Sequence, residues 1–403
     1  MMPMWLEWTI ATRFLREGRA QSVLILVGIA VGVAVIVFLT ALITGLQGNI
    51  IERTLGTQAH IRVEAADETN HVLPPPDGTV QLVLETRRAQ RLRSINNWPQ
   101  VRDVLDRLPG VTAVSPVVSG PAFARRGEAL ESVALVGIDA ERYQRIIPIG
   151  EDIVEGTFRI GAGDAVVGRQ LAIELGMRAG DKLRIDAGEG RETVVNVAGV
   201  FELGVRELDA RYVYLDMKQA QSLLDLPGGA TLIDVTVADI FDAQPVAARI
   251  GRLTGLKAES WMETNTQLMN ALRSQSLSTQ MISVFVALSV ALGIASVLSV
   301  SVVQRTREIG ILRAMGTTRR QMLGVFLVQG ALFGLAGSLL GGAAGYALVA
   351  AFNNFGPRLF YIPVEPDLLV AATLLATLTG TVSAALPARR AARLDPVEAI
   401  RHV

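Results

Sequence analysis

The sequence predicts a membrane protein: four transmembrane α-helices, with a large α+β domain inserted outside the membrane between helices 1 and 2. Three observations predict it. Half of the 403 residues are apolar and only 19 % are charged, with a mean hydropathy of +0.38, too apolar for an ordinary water-soluble chain of this length. Four charge-free apolar stretches are each long enough to cross a bilayer. The Lys and Arg residues that flank them gather on one side.

The chain opens on a segment, 1–19, that suits a helix lying along the inner leaflet. A helical Met4–Arg16 puts Trp5, Trp8, Ala11 and Leu15 near one face, with the tryptophans at headgroup depth. The first span is placed at 20–46. No charge interrupts the chain between Arg19 and Glu52, and Val23 to Leu46 is nearly continuous in Val, Ile, Leu, Ala, Gly and Phe. A cleaved signal peptide is the rival reading, since Arg13, Arg16 and Arg19 resemble a basic leader. The apolar run exceeds the roughly 7–15 residues of a signal peptide, which favours a retained anchor. Further spans fall at 274–304, 321–352 and 368–388. The third apolar stretch, Gln321 to Pro357, has no internal turn signal and ends in the polar Asn353-Asn354-Phe355-Gly356-Pro357, so it reads as one long helix.

Orientation follows from the connections. Arg13, Arg16 and Arg19 precede the first span; Arg305, Arg307, Arg313, Arg319 and Arg320 lie in the 305–320 loop; Arg389, Arg390, Arg393 and Arg401 lie in the 389–403 tail. The 353–367 loop holds only Arg358 against Glu365 and Asp367. Both termini and the 305–320 loop are therefore expected in the cytoplasm, and 47–273 on the opposite side.

That inserted block alternates strand-like and helical runs. Helices are expected at Trp98–Leu108, Arg169–Leu175, Met217–Leu224 and Ala243–Leu253. Strands are expected at Val111–Val118, Glu131–Ile138, Lys182–Ala187, Thr193–Phe201, Tyr212–Leu215 and Thr231–Val237. Leu73-Pro74-Pro75-Pro76-Asp77-Gly78 reads as an exposed spacer. No catalytic constellation emerges: the paired carboxylates Asp139/Glu141, Glu151/Asp152 and Glu207/Asp209 read as solvated surface. His60, His71 and His402 form no metal-binding spacing, and the absence of cysteine excludes disulfides and thiol chemistry. Gly161-Ala162-Gly163-Asp164 fits no nucleotide loop, and no Walker motif occurs in the chain. Balanced charge, 38 basic against 38 acidic residues, gives no case for nucleic-acid binding.

The 305–320 loop carries more pattern than anchoring requires. Ile309, Leu312 and Met315 recur at helical spacing among Arg305, Glu308 and Arg313, Gly316 can end the helix, and Thr317 or Thr318 can cap the next. An ordered apolar face beside an acidic group suits docking against another protein.

These residues resemble a known family. Gln304-Arg305-Thr306-Arg307-Glu308-Ile309-Gly310-Ile311-Leu312-Arg313-Ala314-Met315-Gly316 resembles the coupling-helix signature of FtsX-like, MacB-type ABC-transporter permeases, and Leu386 to Arg401 is similar to their terminal motif. Within that family, Phe326-Leu327-Val328-Gln329-Gly330 and Gly56-Thr57-Gln58-Ala59-His60-Ile61 are more like the lipoprotein-releasing permeases than the macrolide exporters. The resemblance implies an FtsX-like permease domain over about 280–400 and a MacB-like periplasmic core domain within 47–273. It further implies a homodimer or heterodimer in the bacterial inner membrane, bound to separate ABC ATPase subunits that hold ATP and Mg. The coupling residues would be Arg305, Arg307, Glu308, Ile309, Leu312, Arg313, Met315, Gly316, Arg319 and Arg320. The permease would be non-catalytic and would transmit force to its periplasmic domain, with a periplasmic adaptor or chaperone as a further partner. Glu263 to Val303, free of proline, is expected to be a single lever helix of about 60 Å.

Small residues complete the reading. Gly28/Gly32 in the first span, and Gly330/Gly334, Gly337/Gly341 and Gly341/Gly345 in the third, are spaced for close helix packing. For a lipid-modified cargo, an apolar surface between the first span of one subunit and the second span of its partner is expected, lined by Val35, Phe38, Leu39, Leu42, Ile282, Phe285 and Leu288. Lipoprotein release, efflux of drugs or peptides through an adaptor and outer-membrane duct, and regulation of a cell-wall hydrolase are the functions that this family offers.

Overall fold

The computed structural model describes residues 3–17, 19–66, 92–357 and 360–394. His71, the Leu73–Gly78 segment, Arg358, the terminal motif beyond Leu394 and His402 lie outside the described residues, as do the side chains of Trp5, Leu15 and Arg16. The chain divides into two compact units, Met1–Ile51 with Asn270–Val403, and Glu52–Met269.

The first unit is helical: α1 (Pro3–Glu17), α2 (Arg19–Leu55), α3 (Thr266–Gln304), α4 (Thr306–Ala314), α5 (Arg319–Phe355) and α6 (Pro366–Arg393). Among the described residues α2, α3, α5 and α6 are long and apolar enough to cross a membrane. Three are much longer than a bilayer core needs. α2 and α5 each run 37 residues and α3 runs 39, about 55 and 58 Å of helix against a core of about 30 Å. α2 passes the expected end at residue 46 because Gln47–Leu55 holds no proline and its polar side chains find partners. Gln47 Nε2 donates to the Leu272 carbonyl at 3.4 Å and to Ser276 Oγ at 3.3 Å.

Two expectations are corrected in this unit and at its border. The lever does not begin at Glu263: Trp261–Thr264 is its own turn, closed by a Ser260/Glu263 capping box, and α3 starts only after Asn265. The 389–403 tail opens as helix, since α6 continues through Pro387 to Arg393. Among the described side chains of α1, Ala11 and Phe14 are buried and pack on the start of α5, while Trp8 is half exposed. The polar end of α5 is used as a clamp: Asn353 Oδ1 accepts from the Ile362 N–H and Asn353 Nδ2 donates to the Ile362 carbonyl, both at 3.0 Å.

The second unit is built on one ten-stranded sheet: β1 (Ile61–Glu64), β2 (Val111–Arg126), β3 (Ala129–Ile138), β4 (Ile153–Gly156), β5 (Asp164–Gly168), β6 (Lys182–Asp186), β7 (Glu192–Phe201), β8 (Tyr212–Asp216), β9 (Leu232–Val237) and β10 (Lys257–Ser260). Its order is β10-β1-β9-β2-β3-β8-β5-β7-β4, with β6 bridging β2 and β7. The strand expected to stop at Val118 runs on to Arg126. β2 pairs β9 only as far as Val117 and β6 only from Phe123, so Pro121 sits where no ladder bond is required on that side. The short strands β1, β4, β5 and β10 were not among the expected ones, although β6 and β8, five residues each, were. Helices Arg169–Glu174 and Met217–Leu223 cover the apolar core around Leu135, Val167, Leu183 and Val213. Across paired β1 and β9, Arg62 reaches Asp234 at 3.5 Å; burial pushes the Asp234 carboxyl above the usual carboxylate range, and Arg62 opposes that.

Candidate functional site

The basic loop folds as the sequence punctuates it. α4 ends at Ala314, Gly316 takes φ +101°, a left-handed turn that suits glycine, and α5 begins after Thr318, whose hydroxyl accepts from the Gln321 N–H in a capping box. Two faces result. Ile309 is fully buried and Leu312 partly so, in an apolar base with Phe14, Val302, Met322, Phe326 and Ala391. The opposite face exposes Arg307, Glu308, Ile311, Ala314 and Met315, at helical spacing, and continues into Gly316, Arg319 and Arg320.

This division sorts the expected coupling set. Ile309 and Leu312 form the rear of the helix. Arg305 and Arg313 make contacts within the chain. Arg305 donates to the Phe14 carbonyl at 3.1 Å, lies 4.6 Å over the Phe14 ring and pairs with Glu308 at 3.5 Å. Arg313 donates to the carbonyls of Ala392 and Leu394, at 3.0 and 2.5 Å, and so closes the C-terminal end of α6. The two sequence motifs thus meet through one guanidinium. Ile311, exposed at 44 %, belongs to the outer face and was missed because the apolar period was read from Ile309; a period read from Arg307 finds it.

A second feature lies between α2 and α3: an apolar groove of about 640 Å3 lined by Leu24, Gly28, Val31, Gly32 and Val35 on one side and by Phe285, Val286, Ser289, Val290 and Gly293 on the other. Val35 and Phe285, expected in a cargo surface between the first span of one subunit and the second span of its partner, both line this groove within one chain. Ile282 and Leu288 are exposed on α3 outside the groove lining. Phe38 and Leu42 do not line the groove; they pack beside Ala41, Val349 and Ile362, where the segment after α5 folds back. Leu39 is half-buried and does not line the groove.

The glycines separate in the same way. A Cβ built on Gly334 would lie 2.6 Å from the Ala376 carbonyl oxygen, and one on Gly330 would meet the Gly380 carbonyl, so this pair binds α5 to α6. Gly337, Gly341 and Gly345 face Ile29, Ala30 and Val37 of α2 at 2.5–2.9 Å. Gly28, expected to pack closely, has nothing within 4 Å, while its partner Gly32 meets the Val290 and Val286 side chains of α3.

Family models match over most of this architecture. The MacB-like periplasmic core domain matches residues 22–253, and the FtsX-like permease C-terminal domain matches residues 280–396. The lipoprotein-releasing system transmembrane protein LolC of Xylella fastidiosa is 25 % identical over 98 % of this chain and 99 % of its own length. The macrolide export ATP-binding/permease protein MacB of a Shewanella species is 26 % identical over 95 % of this chain, which spans 58 % of that relative. The periplasmic region of MacB from Actinobacillus actinomycetemcomitans, 14 % identical, aligns with 54 % of this chain and 95 % of its own at a TM-score of 0.36.

Proposed function

The chain belongs to the permease family that joins a MacB-like periplasmic core domain to an FtsX-like C-terminal domain, and from that premise we propose that it is the non-catalytic half of an ABC transporter driven by a separate ATPase. The observation that carries the reading is the exposed mixed face of α4, Arg307, Glu308, Ile311 and Met315, held from behind by Ile309, Arg305 and Arg313. A rigidly backed helix with a charged and apolar front suits transmission of a push; ATP and Mg would be held by the ATPase subunits alone. The topology that goes with this has both termini and α4 in the cytoplasm, 47–273 in the periplasm of a bacterial inner membrane, and four spans. Two permeases, identical or related, would pair.

Release of a lipoprotein or another amphipathic cargo is the favoured activity. Support comes from end-to-end similarity to LolC and from the α2/α3 groove, whose apolar lining and size suit a lipid chain. Drug or peptide efflux with an adaptor, as the MacB similarity offers, is the second reading. Replacing Arg307, Ile311 and Met315 together by Ala is expected to abolish co-purification of the ATPase while the exposed positions leave folding intact; unchanged association would overturn the coupling assignment. A photocrosslinker at Phe285 is expected to capture acylated protein. Capture of phospholipid alone would count against a lipoprotein cargo.

A further inference from the structure

Two aspartates of the outer unit are buried among its described residues, and they are served very differently. Asp209 accepts from the Leu203 and Gly204 backbone N–H groups, at 2.9 and 3.2 Å. Asp234, on β9, is 2 % exposed, and among the described residues one donor reaches its carboxylate, Arg62 Nε of β1, at 3.5 Å. That contact is at the outer limit of a hydrogen bond, and the Arg62 side chain is 44 % exposed, so solvent weakens the pair. On β2, Ser115 stands opposite Asp234 and turns its hydroxyl to the Pro116 carbonyl. On β1, Glu64 adds a second negative charge to the surroundings of Asp234. On β10, Glu259 stands opposite Arg62 and pairs with Lys257 at 2.7 Å. Helix Ala140–Tyr143 and β8 bring the Tyr143 and Tyr214 phenols, which burial pushes up, so both stay neutral. The Tyr212 ring lies beside Tyr214 and within range of the Arg62 charge.

A carboxylate taken out of water needs good donors to remain ionised, and a buried ion pair needs close geometry as well. Burial pushes both carboxyls up; two backbone N–H groups oppose this at Asp209, and Arg62 alone opposes it at Asp234. A proton is the partner that Asp234 lacks. We propose that Asp234 is a proton-operated clamp: ionised, it holds the Arg62 guanidinium of β1 against β9; protonated, it releases that guanidinium to solvent. Its place in the sheet gives the clamp a use. β1 is the first strand after α2, and it lies between β9 and β10, the last strand before α3. The charge pair therefore ties the strands through which the chain arrives from one long helix and departs into another. The backbone ladders of β1 remain in both states, and proton uptake removes the charged tie across them. The clamp does not rest on the transporter reading.

Infrared spectra of the full chain in an ester-free detergent read the proton directly, as the C=O stretch of a neutral carboxylic acid. Subtracting Asp234→Asn from the native chain cancels the exposed carboxyls and is expected to leave one such band, growing in at higher pH than the exposed carboxyls as a whole. No band, or one that follows the exposed groups, overturns the proton site. Arg62→Gln removes the opposing charge and is expected to raise the proton affinity read from that band about threefold or more, the reciprocal of the release of Arg62 by the proton. An unmoved band overturns the clamp. Melting supplies the sign. The folded chain binds this proton more tightly than the unfolded chain, so stability is fullest with the proton bound and falls as pH rises through the folded value. Asp234→Asn mimics the neutral form and is expected to gain on the native chain by about 2 °C or more as pH rises, whatever its constant packing cost. A difference independent of pH overturns the proposal. If Asp234→Asn does not fold, the native chain against Arg62→Gln reads the same band and its shift.

Discussion

The two ends of one residue type, glycine in a membrane helix, do opposite things in this molecule. Gly330 and Gly334 of α5 lie so close to α6 that a single added carbon would strike a backbone carbonyl. Gly28 of α2 and Gly293 of α3 have nothing within 4 Å and border the apolar groove. The first pair joins helices; the second pair leaves a hollow between them. Small-residue spacing therefore marks closeness of approach only where a partner backbone fills the space, and elsewhere it marks the width of an opening. α3 follows the second pattern along most of its span, exposing Met281, Val284, Phe285 and Leu292, whereas α5 buries a stripe from Gln329 to Val349.

The largest expected effect lies at the closed interface. Gly334→Val should cost about 3 kcal/mol or more, because neither the Ala376 carbonyl nor the Thr377 Cα, 2.6 and 2.7 Å from the added Cβ, can move without displacing α6. The measurement is the melting of the purified chain in detergent, together with the yield of folded protein. A variant as stable as the native chain would show that α5 and α6 are not locked there and would remove one side of the comparison.

The same contrast recurs on α4 at smaller scale. Arg313→Ala removes the donor to the Ala392 and Leu394 carbonyls at the end of α6 from a partly buried position and is expected to destabilise by about 1–3 kcal/mol. Arg307→Ala, on the exposed face, should stay within about 0.5 kcal/mol of the native chain. Denaturation of the two variants side by side reads the difference. Equal losses would mean that the front and rear of α4 are not distinct, and the docking face would have to be redrawn.

Much of this was legible in the sequence, for a physical reason. Spans are written as long charge-free runs, and the α4–α5 turn as Gly316 followed by a Thr318 cap, because these depend on local chemistry alone. Strands of the outer unit with ten or so residues, such as β3 and β7, were found at nearly their full length. What stayed hidden is direction. Inside a membrane both the lipid-facing and the packed side of a helix are apolar, so Phe38 and Val35 read alike although one packs beside Ile362 and the other borders the groove. For the same reason Arg305 and Arg313 could be recognised as part of a motif but not as struts turned toward α1 and α6.

The smallest expected effect is the sharpest, because its sign is at stake. Gly28→Ala adds a methyl group into open space, so nothing is displaced, and the helix gains the preference of Ala over Gly, under about 1 kcal/mol. Gly341→Ala places the same methyl 2.5 Å from the Ala30 carbonyl oxygen and 2.7 Å from the Val33 Cβ, where the steric cost exceeds that preference. Melting temperatures should therefore move in opposite directions, up for Gly28→Ala and down for Gly341→Ala. Both residues sit in apolar spans, and both substitutions remove one glycine and add one carbon, so chain flexibility shifts alike in the pair. What differs is the space around the added carbon, open at the exposed Gly28 and filled by α2 at the buried Gly341, and a shared sign would mean that α2 meets α3 as closely as it meets α5.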